Sequence, residues 1–404
     1  MQIKAGLTAA ERKQEKALLE AHPRYREAAL AHRRLRHRDL TPLLASLAGK
    51  SGFEVSLLGQ SVEGRDISLV KIGTGPSRVL LWSQMHGDEA TATMALFDLF
   101  NFFRARDDGF DSLRHLILQH TTLYFVPMLN PDGAERQTRR NALGIDLNRD
   151  ALRLQSPEAK LLKDLRDRLQ PTFGFNLHDQ NPLYSVGDTG VPAALSFLAP
   201  PYDQDRSVNE VRSRAMGLIV HLNRRLQPLI PGRIGKWPDA FEPRAFGDNI
   251  QKWGTSVVLL ESGGYPGDPD KQYLRQLNFV TLLTGFEAIA TKGYEKEDLR
   301  LYDRIPENGP LLFDLLLRNV TAQKGELSYQ IDLGIVRAEY RVPGQAELFY
   351  KSILADMGDL SVFAAYEVRD GQGLWLEEGK EYPVAFATLA EVATADLYHL
   401  LRQG

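Results

Sequence analysis

Four short, almost wholly apolar runs constrain this chain more than any other feature. They are RVLLWSQ (78–84), TTLYFVPMLN (121–130), TFGFNLH (172–178) and TSVVLLES (255–262). A strand with one wet face alternates apolar and polar side chains, whereas a strand without alternation has both faces covered. Helically patterned stretches separate the runs, namely ATATMALFDLFNFFRAR, SPEAKLLKDLRDRL and LRQLNFVTLLTGFEAIA. Apolar strands alternating with helices predict an α/β fold in three layers. A mostly parallel mixed sheet lies between helices on both faces.

The flanks have a different texture. Residues 8–38 read as helical, with Thr8 and Glu11 as a possible capping box and a basic run, RYREAALAHRRLRHRD, on a solvated face. LTPLLASLAGKSG reads as a second short helix, with Thr41 and Pro42 at its start and Gly49 at its end. Together, residues 1–51 are expected as an N-terminal helical extension. The α/β pattern opens with two strands around a turn at Glu63 and Gly64 and occupies residues 52–293. A charged, Pro/Gly-punctuated stretch at 294–310 reads as a linker. Residues 311–404 read as a small β-rich domain ending in a helix.

Composition excludes several function classes. With no cysteine, the chain has no disulfide, no thiolate metal site and no Cys nucleophile, so a metal would need His, Asp or Glu. The net charge of -3 over 404 residues does not suggest a nucleic acid or a membrane surface as partner. No apolar run approaches the roughly 20 residues that span a bilayer. The N-terminus is too polar for a signal peptide core, so the expected location is the cytoplasm.

Four polar clusters sit at or just after the strand ends, where sites form in open α/β sheets. The first is His86 and Glu89, whose i, i+3 spacing in a first helical turn would let both reach one zinc ion. The second is His178, which would complete three protein ligands and leave a fourth position open. The third is the loop NPDGAERQTRRNALGIDLNRD (130–150), which gathers Arg136, Arg139, Arg140 and Arg149 with Asn141 and Asn148. Guanidinium and amide groups suit the recognition of a carboxylate or phosphate. The fourth is Glu261, an ionisable residue ending an apolar strand before a Gly pair that lets backbone pass closely. Each cluster alone also has a bland reading: a cap, a satisfied strand-end histidine, a solvated loop, a paired glutamate.

In order, HGDE, RRNALGIDLNR, NLH and LLES resemble the zinc carboxypeptidases of the carboxypeptidase A type, over about residues 52–290. The resemblance implies that His86, Glu89 and His178 bind one zinc ion. It implies that Glu261 takes a proton from water and passes it to the leaving amine. Arg139 would stabilise the oxyanion, with Arg140 a further candidate for contacting substrate. Asn148 and Arg149 would clamp the substrate's carboxylate, and Asp146 would orient His86.

The implied activity is zinc-dependent hydrolysis of an amide bond next to a free carboxylate. The substrate would be a peptide or an N-acyl amino acid. A deacylase or cell-wall amidase on the same site is the alternative, and a non-catalytic binding protein is a third reading.

The chain departs from the digestive members in two respects: GKWPDAFEPRAFGDNIQKWG (235–254) contains no tyrosine, and the interval from Glu89 to His178 is shorter. Phe241, Phe246 or Trp237 are expected to line that region, with Arg244, Asp248 and Lys252 as pocket candidates. The tail resembles the small β domain that flanks amidohydrolase barrels, but no barrel and no His-x-His motif accompany it.

Overall fold

The computed structural model describes residues 9–341, 348–377, 386–388 and 402–403. Among them the chain forms two compact units. One takes in residues 9–182 and 193–308, and the other takes in residues 183–192 and those from 309 onward.

The first unit is built on an eight-stranded mixed sheet. Its strands are β1 (Phe53–Gln60), β2 (Asp66–Ile72), β3 (Ser77–Trp82), β4 (Thr121–Val126) and β5 (Phe173–Asp179). After β6 (Ser185–Val186), which lies in the second unit, follow β7 (Leu195–Leu198), β8 (Ile234–Lys236) and β9 (Ser256–Ser262). The spatial order is β1-β2-β4-β3-β5-β9-β7-β8. Pairings among β4, β3, β5 and β9 are parallel, as the apolar runs predict. The antiparallel additions are β1 and β2, and β7 against β9.

The uninterrupted apolar runs are explained by two cores. Val79 and Leu81 of β3 face one core, with residues of α3 (Thr91–Arg104), α7 (Glu210–Leu226) and α9 (Gln272–Thr291). Leu80 and Trp82 face the other, with residues of α6 (Pro157–Leu169) and α8 (Phe246–Lys252). The strand period of two sends neighbouring residues to opposite faces, and helices cover both. Two shorter helices, α4 (Asp111–His120) and α5 (Pro131–Arg136), complete this unit with the N-terminal pair described next.

The N-terminal region departs from the expected long helix. Helix α1 (Ala9–Ala21) gives way to a short 3-10 turn holding Pro23, and residues 25–36 form an irregular strap. Proline lacks the N–H an α-helix needs and crowds the preceding turn. Thr8, the expected cap, lies outside the described residues. Tyr25, Leu30 and Leu35 of the strap are buried, so the basic run is not a solvated helix face. Helix α2 (His37–Leu47) starts ahead of Thr41 and contains Pro42, and the Asp39 carboxylate accepts the Arg36 N–H at its N-terminus.

The strap is fastened by a buried charge cluster. Asp98 of α3 accepts from Arg275 of α9 at 2.6 and 2.5 Å and from the Glu27 N–H at 2.8 Å, and it meets His22 Nε2 at 2.7 Å. Arg275 also donates to the carbonyls of Leu30 and Glu27. The Arg275 donors in this dry cluster are matched to strap backbone, to Asp98 and to the Gln272 side chain.

Of the stretch expected as a linker, 294–310, residues 294–308 belong to the first unit. Tyr302 and Ile305 are buried, and the Tyr302 hydroxyl accepts the Ala199 N–H. Beyond β10 (Asn308–Gly309), the second unit forms a sheet of long strands. These are β11 (Leu312–Lys324), β12 (Leu327–Arg341), β13 (Leu348–Gly358), β14 (Ala364–Asp370) and β15 (Leu374–Glu377), with the short β16 (Phe386–Thr388) and β17 (Arg402–Gln403). Leu315, Leu317, Val320, Leu333, Ile335 and Leu374 form its core. The helix expected at its end lies outside the described residues.

Removing one partner of a buried ion pair leaves a charge in a dry site, at a cost of roughly 3–5 kcal/mol. Asp98→Ala should therefore lower the unfolding free energy by about that amount in urea titration. It should also make the 22–36 strap the first segment to exchange its amide hydrogens.

Candidate metal centre and carboxylate clamp

The sheet places the candidate residues at the carboxyl ends of its central strands. Strand β3 ends at Trp82, and the following turn carries His86 and Glu89. Helix α3 begins only at Thr91, so the pair lies in a turn before the helix and not in its first turn. The Glu89 N–H closes that turn on the His86 carbonyl at 3.2 Å. Gln84 adopts a left-handed conformation (φ 44°), and its side-chain amide holds the Gly87 carbonyl. A Cβ on Gly87 would lie 2.0 Å from the backbone of Gly133, so only glycine fits between His86 and Asp88.

Strand β5 delivers His178, and β9 delivers Glu261. The two strands are parallel, with His178 registered directly opposite Glu261. The Gly pair after Glu261 has the expected use: a Cβ on Gly263 would sit 2.0 Å from the Ala193 carbonyl oxygen.

The three expected ligands converge. His86 Nδ1 meets one Glu89 carboxylate oxygen at 2.8 Å, and His178 Nδ1 meets the other at 2.7 Å. One ligand atom from each residue falls within 4.8 Å of the others. His86 and His178 are buried, with Glu89 only partly exposed. Burial alone would lower the His86 pKa, but the Glu89 and Asp146 carboxylates outweigh it and raise the pKa to about 9. His178, more completely enclosed, is lowered by burial despite Glu89. Burial works to raise the Glu89 pKa, but the two imidazoles overcome it and hold the carboxylate well below its usual range. One carboxylate thus serves two imidazoles, with positive charge favoured on the His86 side.

Three ligand atoms of this kind packed together in a dry site suit a divalent cation. Glu261 Oε2 and His178 Nε2 add buried polar capacity that no protein group meets. The residues present therefore fit zinc. Burial, then the negative charge of Glu89, pushes the Glu261 carboxyl well above the ordinary glutamate range.

The arginine loop divides its members among different tasks. Asp146 Oδ1 meets His86 Nε2 at 3.1 Å and caps the 3-10 turn at Leu147–Arg149 by accepting the Asn148 N–H. Its other oxygen accepts from Arg139 Nε at 3.0 Å. Arg139 also brings Nη1 to 3.3 Å from Glu89 Oε1 while its side chain stays 44% exposed, so it lies at the mouth of the group. Arg140 turns to the Gly144 carbonyl instead. Arg136 pairs with Glu63, and Asn141 is buried, bracing its own turn and Glu158.

Asn148 and Arg149 face the 242–246 segment. Asn148 Oδ1 accepts the Phe246 N–H at 2.9 Å, and Arg149 Nε pairs with Glu242 at 3.1 Å. Arg244 grips the same Glu242 carboxylate from the exposed side. Phe246 belongs to the core and does not line the cleft. Lys252 is exposed at the end of α8, and Asp248 is buried.

Sequence reasoning missed two residues here. Asp179 accepts from the Thr91 hydroxyl at 2.7 Å and pairs with Lys271 at 3.4 Å, and its N–H donates to Glu89. Its position next to His178 was the available signal for Asp179. Nothing in GDPDKQ marked Lys271.

Known proteins resemble the chain over part of its length. Residues 44–160 match the zinc carboxypeptidase family model. Over these residues the chain is similar to that family. That stretch of the zinc carboxypeptidase match holds His86, Glu89 and the arginine loop and stops short of His178 and Glu261.

An uncharacterised protein of Zymomonas mobilis is 29% identical over 164 residues, covering 39% of this chain and 42% of that protein. Carboxypeptidase SOL1 of Arabidopsis thaliana is 30% identical over 139 residues, covering 30% and 28%. The chain thus spans less than half the length of these curated relatives. Among solved structures, a metallo-carboxypeptidase from Burkholderia cenocepacia aligns with TM-score 0.52 and 18% identity over 63% of this chain and 69% of that one. Carboxypeptidase A from Helicoverpa armigera aligns with TM-score 0.52 and 15% identity over 70% and 81%. The fold is the carboxypeptidase-like α/β fold.

Asp248 carries a measurable consequence. Burial, with Glu242 nearby, pushes its carboxyl up to about 7, although it accepts the Glu242 N–H. A folded pKa above the unfolded value of about 3.9 means stability falls as pH rises through that interval, and the cost is complete above pH 7. Asp248→Asn keeps the acceptor and removes the charge. It should raise the melting temperature most at pH 8 and by markedly less at pH 5.

Proposed function

We propose that this chain is a metallocarboxypeptidase, hydrolysing the amide bond next to a free carboxylate on a peptide. The observation that carries the reading is Glu261. It is a buried carboxyl with an orphan oxygen, registered across β5 and β9 beside a three-ligand metal group.

His86, Glu89 and His178 would hold the zinc ion. Zinc so held supplies Lewis acidity and makes water a nucleophile near neutral pH. Glu261 does the proton work: its raised pKa suits a group that takes a proton from the attacking water, keeps it, and gives it to the departing amine. The Arg139 guanidinium, fixed through Nε by Asp146, brings positive charge to the place where the carbonyl oxygen becomes anionic. Asp146 holds His86 from its far nitrogen, a restraint that fixes the ring's orientation. Arg149, with Asn148 beside it, binds the substrate carboxylate.

A second reading keeps the site and changes the substrate to an N-acyl amino acid or a cell-wall peptide. It is favoured by the 235–254 stretch, which offers no hydroxyl side chain over the cleft.

Purified protein should contain about one zinc per chain. His178→Ala should contain almost none, and metal retained by that variant would refute the ligand assignment. Glu261→Gln should keep its zinc and lose turnover by a factor on the order of 10²–10⁴. A screen of C-terminal amino acids, N-acyl amino acids and muropeptides separates the two substrate readings. Arg149→Ala should raise KM on free-carboxylate substrates and leave carboxamide analogues unaffected.

A further inference from the structure

Lys271 is a buried cation in an unusual place. It precedes α9 with a left-handed backbone (φ 52°, ψ 32°), a conformation uncommon for a non-glycine residue. Only 8% of the residue is exposed. Its ammonium does not turn to solvent. It donates to the Ser262 carbonyl at 2.9 Å, one residue beyond Glu261, and pairs with Asp179 Oδ2 at 3.4 Å, one residue beyond His178.

Asp179 passes the connection on. The same Oδ2 accepts from the Thr91 hydroxyl at 2.7 Å, at the first residue of α3. The Asp179 N–H donates to Glu89 Oε2 at 3.2 Å, the oxygen that also meets His178. Four chain segments therefore meet at one ammonium and one carboxylate: the ends of β5 and β9 and the starts of α3 and α9. Removing the ammonium would leave Asp179 buried with Thr91 as its only side-chain partner among the described contacts and its Oδ1 already unmatched. A buried charge so deprived is expected to turn or rehydrate. Either movement pulls on the Glu89 contact.

We propose that Lys271 is a positioning residue for the metal group, tying the strand ends that carry His178 and Glu261 to the turn that carries Glu89. The inference rests on the zinc reading of His86, Glu89 and His178. Lys271 touches neither metal nor substrate. It acts through Asp179 and the Ser262 carbonyl.

The test is zinc affinity by chelator competition on metal-stripped full-length protein, with kcat and KM measured on the zinc-loaded form. Lys271→Met should weaken zinc binding by about tenfold, the lower end of what losing an outer support of metal ligands costs. Its kcat should fall more than its KM changes. Lys271→Arg, which keeps the cation, should recover most of the affinity. Wild-type affinity and kcat in a folded Lys271→Met protein would overturn the proposal.

If circular dichroism shows that Lys271→Met does not fold, Thr91→Val decides. It removes the other side-chain bond to Asp179, so weaker zinc binding supports the network and unchanged binding overturns it. A wild-type protein that takes up no zinc overturns the metal reading and this proposal together. Zinc uptake with unaltered affinity in the variants overturns the role of Lys271 alone.

Discussion

The parallel pairing of β5 with β9 is the constraint on which the candidate site depends. Side chains alternate along a strand, so a slip of one residue would send Glu261 to the opposite face from His178. The register is held by apolar contacts on both faces, with Phe173, Phe175 and Leu177 in one core and Val257 in the other. The sheet therefore specifies the placement of His178 against Glu261, the proposed metal ligand and the proposed proton carrier. Those residues need no loop of their own to find each other. Glu89 then gathers the group, one oxygen to each imidazole, and Asp146 and Arg139 brace it from the other side.

Away from the site, the N-terminal strap shows how a strongly basic stretch can be tied to the core while its arginines stay exposed or half-buried. Tyr25, Leu30 and Leu35 are its buried apolar anchors, and the anchors decide where the backbone goes. Asp98 and Arg275 then satisfy strap backbone groups that would otherwise be buried without partners. The strap thus closes over α3 and α9, the two helices that begin beside the metal group.

Much of this was legible in the sequence because the sheet strands are buried on both faces. Apolar runs such as RVLLW and VVLL show such strands directly, and the polar residue that ends each run marks where chemistry can sit. His86, Glu89, His178 and Glu261 stood out for that reason. Pro23 marked the break after α1, but the strap beyond it was not legible, because an Ala- and Arg-rich stretch has high helix propensity that tertiary contacts from Asp98 and Arg275 override. The separate fates of Arg139 and Arg140 depend on the turn built by Asn141 and Gly144, which aims one guanidinium inward and leaves the other on its own loop. Lys271 was silent because its importance comes from a backbone conformation and a long-range contact. Neither leaves a local pattern.

The glycines at 87 and 263 set a limit on how this cleft can change. At both places the neighbour is main chain: the Gly133 backbone in one case and the Ala193 carbonyl in the other. Walls made of backbone cannot be carved back by exchanging side chains, since there is no side chain to shorten. A new substrate would have to be accommodated elsewhere, along the 235–254 stretch, where Glu242, Arg244 and their neighbours present replaceable groups. The half of the cleft beside the proposed metal ligands is therefore fixed by main chain, and the half beside the proposed clamp is lined by exchangeable side chains.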